Sequence, residues 1–136
     1  MLLGLFLAFA LQAGPPKVVE TIVVEMMSQI EDPQQAVART PAEWTALWHR
    51  HAGNSAMPKV DFASRTVVAV FLGTRASAGH AAEITGTRLE KGVTVVEWRE
   101  RSPGRDQVSA QILTSPAHIA TIPRAAGEIR FEKLER

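Results

Sequence analysis

The sequence predicts an α+β fold, a mainly antiparallel β-sheet or sandwich of six to eight short strands with one helix, at about residues 41–51, packed on it. Three observations carry this. Short runs rich in β-branched residues recur between Gly- and Pro-containing turn signals. A single stretch, TPAEWTALWHRH from Thr40, has both a helical cap and helical apolar spacing. The run TVVAVFL at 66–72 is apolar at nearly every position instead of alternating, the pattern of a strand covered on both faces.

A chain of 136 residues has room for one domain and one core. With 46% hydrophobic and 21% charged residues, the composition is that of an ordinary globular domain, which argues against disorder of the whole. The net charge of +1 removes the electrostatic footprint expected of a nucleic-acid binder. The absence of cysteine excludes disulfides, thiolate nucleophiles, Cys-ligated zinc and a lipidated N-terminal Cys. The opening MLLGLFLAFALQAGPP is uncharged and apolar up to Pro15 and Pro16, about the length of a signal-peptide core and too short to span a bilayer. Residues 1–13 are therefore expected to be an export signal, cleaved after Ala10 or Ala13. Residues 14–136 would then be a single domain outside the cytoplasm, periplasmic or secreted, with no stable membrane anchor.

Residues 18–27 (VVETIVVEMM) read as a first strand, and Asp32 before Pro33 as a break. Residues 34–39 read as a short second strand pairing back on the first as a hairpin. Thr40 as N-cap, Pro41 at the first helical position and Glu43 as the third residue of a capping box start the helix. Trp44, Leu47, Trp48 and His51 follow on one face, and Gly53 with Asn54 ends it. Residues 66–72 form the central strand. Residues 81–90 and 93–101 form a hairpin closed by Lys91 and Gly92, and residues 108–114, 118–122 and 128–134 are three further strands separated by turn-rich segments.

Candidate chemistry is sparse. Ser77, His80 and Glu83 supply a nucleophile, a base and a carboxylate in one stretch, so a small secreted hydrolase using Ser77 and His80 is one alternative to a binding role, a purely structural envelope domain being the other; no nucleophile-elbow pattern surrounds Ser77. Among His49, His51, His80 and His118, only the first two are close, and at i, i+2 on a helix they point to different sides, so no metal site is expected. Arg99, Arg101 and Arg105 alternate with Glu97, Glu100 and Asp106, the pattern of a solvated strand face. No phosphate-cradling glycine motif is present, and no cofactor is expected.

What remains is residues 73–84, GTRASAGHAAEI, a small polar loop leaving the most apolar strand. Gly73 and Gly79 widen its backbone options, and Thr74, Arg75 and Ser77 offer hydrogen-bonding groups. Composition alone divides evenly between a recognition loop and an internally satisfied turn.

This stretch resembles the glycine-rich signature of the PrcB family, accessory subunits of a secreted bacterial protease complex, whose usual form is G-T-[RK]-P-[ST]-G-G-Y-x-[IV]-x-[IV]. Gly73, Thr74, Arg75, Ser77, Gly79, Glu83 and Ile84 match it, while Ala76 stands for the Pro, Ala78 for a Gly and His80 for the Tyr. Residues 111–124, QILTSPAHIATIPR, are similar to the family's second block at Gln111, Thr114, Pro116, Ile122 and Pro123. The likeness runs from about Trp44 to Arg124. It implies an exported, non-enzymatic accessory domain whose partner is a protein, a secreted protease being the candidate. The partner-binding residues it points to are Gly73, Thr74, Arg75, Ser77, Gly79, His80, Glu83 and Pro116.

Overall fold

The computed structural model describes residues 18–135, so the expected signal segment lies outside the described residues. The element order is β1 (Glu20–Glu25), β2 (Gln34–Ala38), α1 (Pro41–Ala52), β3 (Arg65–Phe71), β4 (Ala81–Glu90), β5 (Val93–Arg101), β6 (Ala117–Pro123) and β7 (Ile129–Lys133). These build the expected α+β fold, as a four-stranded sheet ordered β1-β6-β3-β2 and a three-stranded sheet ordered β4-β5-β7. All pairings are antiparallel except β5 with β7, which run parallel. That exception is open to the chain because the connection from β5 to β7 is long enough to pass through β6 in the other sheet.

Three layers result. On one face of the four-stranded sheet, Trp44, Leu47 and Trp48 of α1 pack with Val67, Ala69 and Phe71 of β3 and Ile119 of β6. On the other face, Val68 and Val70 of β3 and Ala120 and Ile122 of β6 meet Ala82, Ile84, Val96 and Trp98 of the three-stranded sheet. The apolar run of β3 and the continuous burial of β6 from Ala117 to Ile122 follow from this, since both interior strands are covered on both faces. The indole N–H groups of Trp44 and Trp48 donate to the carbonyls of Pro58 and Ser55, at 2.9 and 3.0 Å, which ties the segment after α1 back onto the helix. At the helix start, Thr40 Oγ1 accepts from the Glu43 amide. The Glu43 carboxylate reaches one residue further back than a standard capping box, to the amide of Arg39 at 3.0 Å.

Two expectations are corrected. β2 does not pair with β1; it lies at the far edge of the sheet, antiparallel to β3, from Gln34 opposite Phe71 to Ala38 opposite Val67. The chain between them crosses the sheet end instead of turning. Ser28 anchors that crossing, its amide donating to the Ser115 carbonyl and its hydroxyl bonded to His51 Nδ1 at 2.7 Å. The most apolar strands, β6 and β3, thereby take the interior. Residues 108–114 form no strand. They run as a strap with one β-bridge, between Thr114 and Arg75, and with Val108, Ile112 and Leu113 exposed. Apolar character alone does not make a strand where no sheet edge is offered.

Candidate functional site

The loop from β3 to β4 is built from its backbone outward. Gly73 sits at φ +79, and a Cβ there would come within 2.7 Å of the Pro33 ring, so this buried corner accepts only glycine. Thr74 N–H then donates to Glu31 O at 3.1 Å, and Arg75 exchanges both main-chain bonds with Thr114, at 2.8 and 2.9 Å. Ala78 N–H donates to Ala110 O at 2.9 Å, and Thr114 Oγ1 donates to the Ser77 carbonyl at 3.0 Å. Gly79, at φ +94, passes beside Pro103 and Ser109. The loop is thus clamped to the 108–114 strap.

Side chains complete the clamp. The Arg75 guanidinium forms a two-pronged pair with Glu100 of β5, both bonds 2.8 Å, and donates to the Leu72 carbonyl at 2.9 Å. The Arg75 bonds hold the Glu100 carboxyl below its ordinary range, and Glu100 in turn raises Arg75. His80 Nδ1 lies 3.3 Å from Glu100 Oε2 and is buried without a hydrogen-bond partner among the described residues. The contact is an approach of ring nitrogen to carboxylate without hydrogen-bond alignment. Lys133 approaches the same carboxylate at 3.7 Å and lies over the Trp98 ring.

The eight residues singled out from the sequence therefore fall in two places. Gly73, Thr74, Arg75, Ser77, Gly79 and His80 form one continuous clamped loop, and Pro116 joins them by accepting the Leu72 amide at 2.9 Å. Glu83 lies apart, on β4. Its carboxylate receives Arg99 Nε at 3.1 Å and Arg101 Nε at 2.5 Å, and the Arg99 bond is the main reason its carboxyl lies below the ordinary range. Glu83 and His80 thus face different partners. Ser77 and His80 share no hydrogen bond among the described residues, so the hydrolase alternative lacks its nucleophile–base contact.

The Ser–His pair that is bonded, Ser28 with His51, is buried on both sides, and Ser28 Oγ also accepts the Ile30 amide at 3.1 Å. It fastens the chain crossing to α1 and is closed to substrate. Burial lowers the pKa of His51. No group of three or more His, Asp or Glu among the described residues is placed to hold a metal ion.

Residues 66–123 match the PrcB C-terminal family model. The match runs from β3 through the loop and the hairpin to β6, so it contains the first sequence block and all of the second but Arg124; α1 lies before it. No curated protein and no solved structure matches the chain significantly. Within the PrcB-like segment, Thr114 of the second block holds the loop backbone, and two residues outside both motifs' matched positions also organise the site. Glu100 receives Arg75. His118 of β6 accepts the Ile84 amide through Nδ1 at 2.9 Å and meets Thr21 Oγ1 through Nε2 at 2.9 Å. Since Nδ1 accepts, neutral His118 carries its proton on Nε2 and donates it to Thr21. Burial keeps its pKa below the ordinary imidazole value. Apolar neighbours hid His118 in the sequence, whereas the alternation of β5 carried a signal for Glu100, which shares a face with Trp98.

Proposed function

We propose that the chain is an exported accessory domain, without catalytic activity of its own, that holds a protein partner in a secreted protease complex through residues 73–84 and the Pro116 turn. The observation that supports this most directly is the match of residues 66–123 to the PrcB C-terminal family, which includes the whole loop and the strap bonded to it. The clamped backbone supports it physically, because a loop already ordered loses little conformational entropy on binding. Thr74, Ala76 and Gly79 remain exposed on the loop, next to the exposed Ile112 and Leu113 of the strap. Arg75, committed to Glu100, buttresses the surface and does not reach out from it. Export rests on the apolar N-terminal run.

The experiment is affinity capture from the source organism's envelope and culture-fluid fractions with the immobilised chain, beside an Ala76→Glu, Ser77→Ala variant that leaves the Arg75–Glu100 pair intact. Recovery of a protease by the wild-type chain and its loss from the variant are expected. Equal recovery by both would remove the loop from the reading. Specific recovery of nothing would favour a structural envelope domain, the reading to which the loop's internal hydrogen bonds lend weight.

A further inference from the structure

A second surface lies away from the clamped loop. An open cleft of about 790 Å3 separates β1 from residues 81–85 of β4, with Arg99 and Arg101 of β5 on its wall and His118 of β6 lining it. Among the described residues both bordering strands are edge strands with one neighbour each. The outer edge of β4 borders the cleft, and its Ile84 amide is held by His118 Nδ1 from the other sheet, so a strand added along this edge takes the place of His118 at Ile84. Across the cleft, Val24 of β1 is 61% exposed. The wall is electrostatically unbalanced. Arg99 and Arg101 share one carboxylate, Glu83, so two guanidiniums face a single negative charge, and the Arg101 side chain is 60% exposed.

From this geometry we infer that the cleft binds an extended peptide segment of the protein partner, paired along the free edge of β4 and carrying a carboxylate that docks on Arg99 and Arg101. The inference rests on the partner-binding reading for its occupant and not on the clamped loop. An extended strand supplies main-chain groups for the β4 edge and an apolar side chain to cover Val24, and its carboxylate matches the surplus positive charge. Glu83 is the internal competitor for that carboxylate.

The test is selection of a random heptapeptide display library on the full chain, followed by anisotropy titration of the selected peptides after labelling. Enrichment of peptides that alternate apolar residues and carry Asp, Glu or a free C-terminus is expected. Arg99→Gln with Arg101→Gln should weaken their binding by about tenfold or more, since a charge-assisted hydrogen bond is stronger than one between neutral groups. Glu83→Gln should tighten binding several-fold by releasing both guanidiniums, a gain that misfolding cannot mimic. Retention or loss of binding by C-terminally amidated peptides assigns the carboxylate to a side chain or to the terminus. No enrichment, or binding indifferent to all three substitutions, overturns the assignment. A protease captured equally by the wild-type chain and by the Arg99→Gln, Arg101→Gln variant would also overturn it while leaving the partner reading intact. Selected peptides with no captured protein would do the reverse.

Discussion

Replacing Arg75 by Ala removes two bonds to the Glu100 carboxylate and one each to the Leu72 and Thr74 carbonyls, while the main-chain bridge between positions 75 and 114 stays in place. Charge-assisted bonds are worth roughly 1.5–3 kcal/mol when well desolvated, and exposed ion pairs about 0.2–1 kcal/mol. With side-chain exposures of 28% for Arg75 and 14% for Glu100, the pair stands between those limits, and the expected loss of stability is about 2 kcal/mol. Glu100 left behind keeps, among the described residues, Lys133 at 3.7 Å and His80 at 3.3 Å. Because the folded-state pKa of Glu100 is depressed, its contribution is present above the ordinary carboxylate value of 4.5 and is lost as the pH falls through the folded value. The Arg75→Ala variant should therefore show a shallower acid decline than the wild-type chain. Urea unfolding followed by tryptophan fluorescence between pH 7 and pH 3, in a double-mutant cycle with Glu100→Ala, measures both effects, and a coupling of about 1–1.5 kcal/mol at pH 7 is expected. A loss below about 0.5 kcal/mol at pH 7, with an unchanged acid limb, would refute the view that this pair fixes the loop.

Three further outcomes follow from named contacts. Gly73→Ala combines a positive φ with a Cβ 2.7 Å from Pro33, and should cost about 2 kcal/mol or more by denaturant unfolding. The folded-state pKa values of His118 and His51 lie below 6.5, so the unfolded state holds more protons and stability should decline as the pH falls below 6.5; His118→Gln should flatten part of that decline in thermal scans from pH 7.5 to pH 5. Thr40→Ala removes the helix N-cap bond and should cost about 1 kcal/mol, read by the same unfolding assay.

Local signals were legible where local chemistry decides the outcome. Thr40, Pro41 and Glu43 announced α1, the Lys91–Gly92 turn announced the hairpin, and the apolar run at 66–72 announced an interior strand. Pairing between distant segments was not legible. Nothing in residues 34–38 says that their partner is β3 instead of β1, because that choice follows from which strands must be covered on both faces.

The hairpin shows the same limit within one motif. A two-residue turn at Lys91 and Gly92 places Glu90 opposite Val93, and carried unbroken along the strands it would set Glu83 opposite Glu100, two like charges. The register shifts by one between Ile84 and Gly86, so Glu83 falls opposite Arg99 and within reach of Arg101, while Glu100 is left for Arg75. The ion-pair set of the site thus depends on a bulge that no periodicity reveals. In the loop, residue types suggested side chains offered outward. The structure spends Arg75 internally, because a guanidinium beside the Leu72 carbonyl and the Glu100 carboxylate finds its donors satisfied there.

The most direct measurement of the central claim is photocrosslinking with a photoreactive residue at position 76, on the exposed loop, compared with one at Met57, exposed after α1. Partner capture at residues 73–84 predicts a crosslink to one secreted protease from position 76 and none from position 57. Equal yields from the two positions, or a protease crosslinked only from position 57, would contradict it.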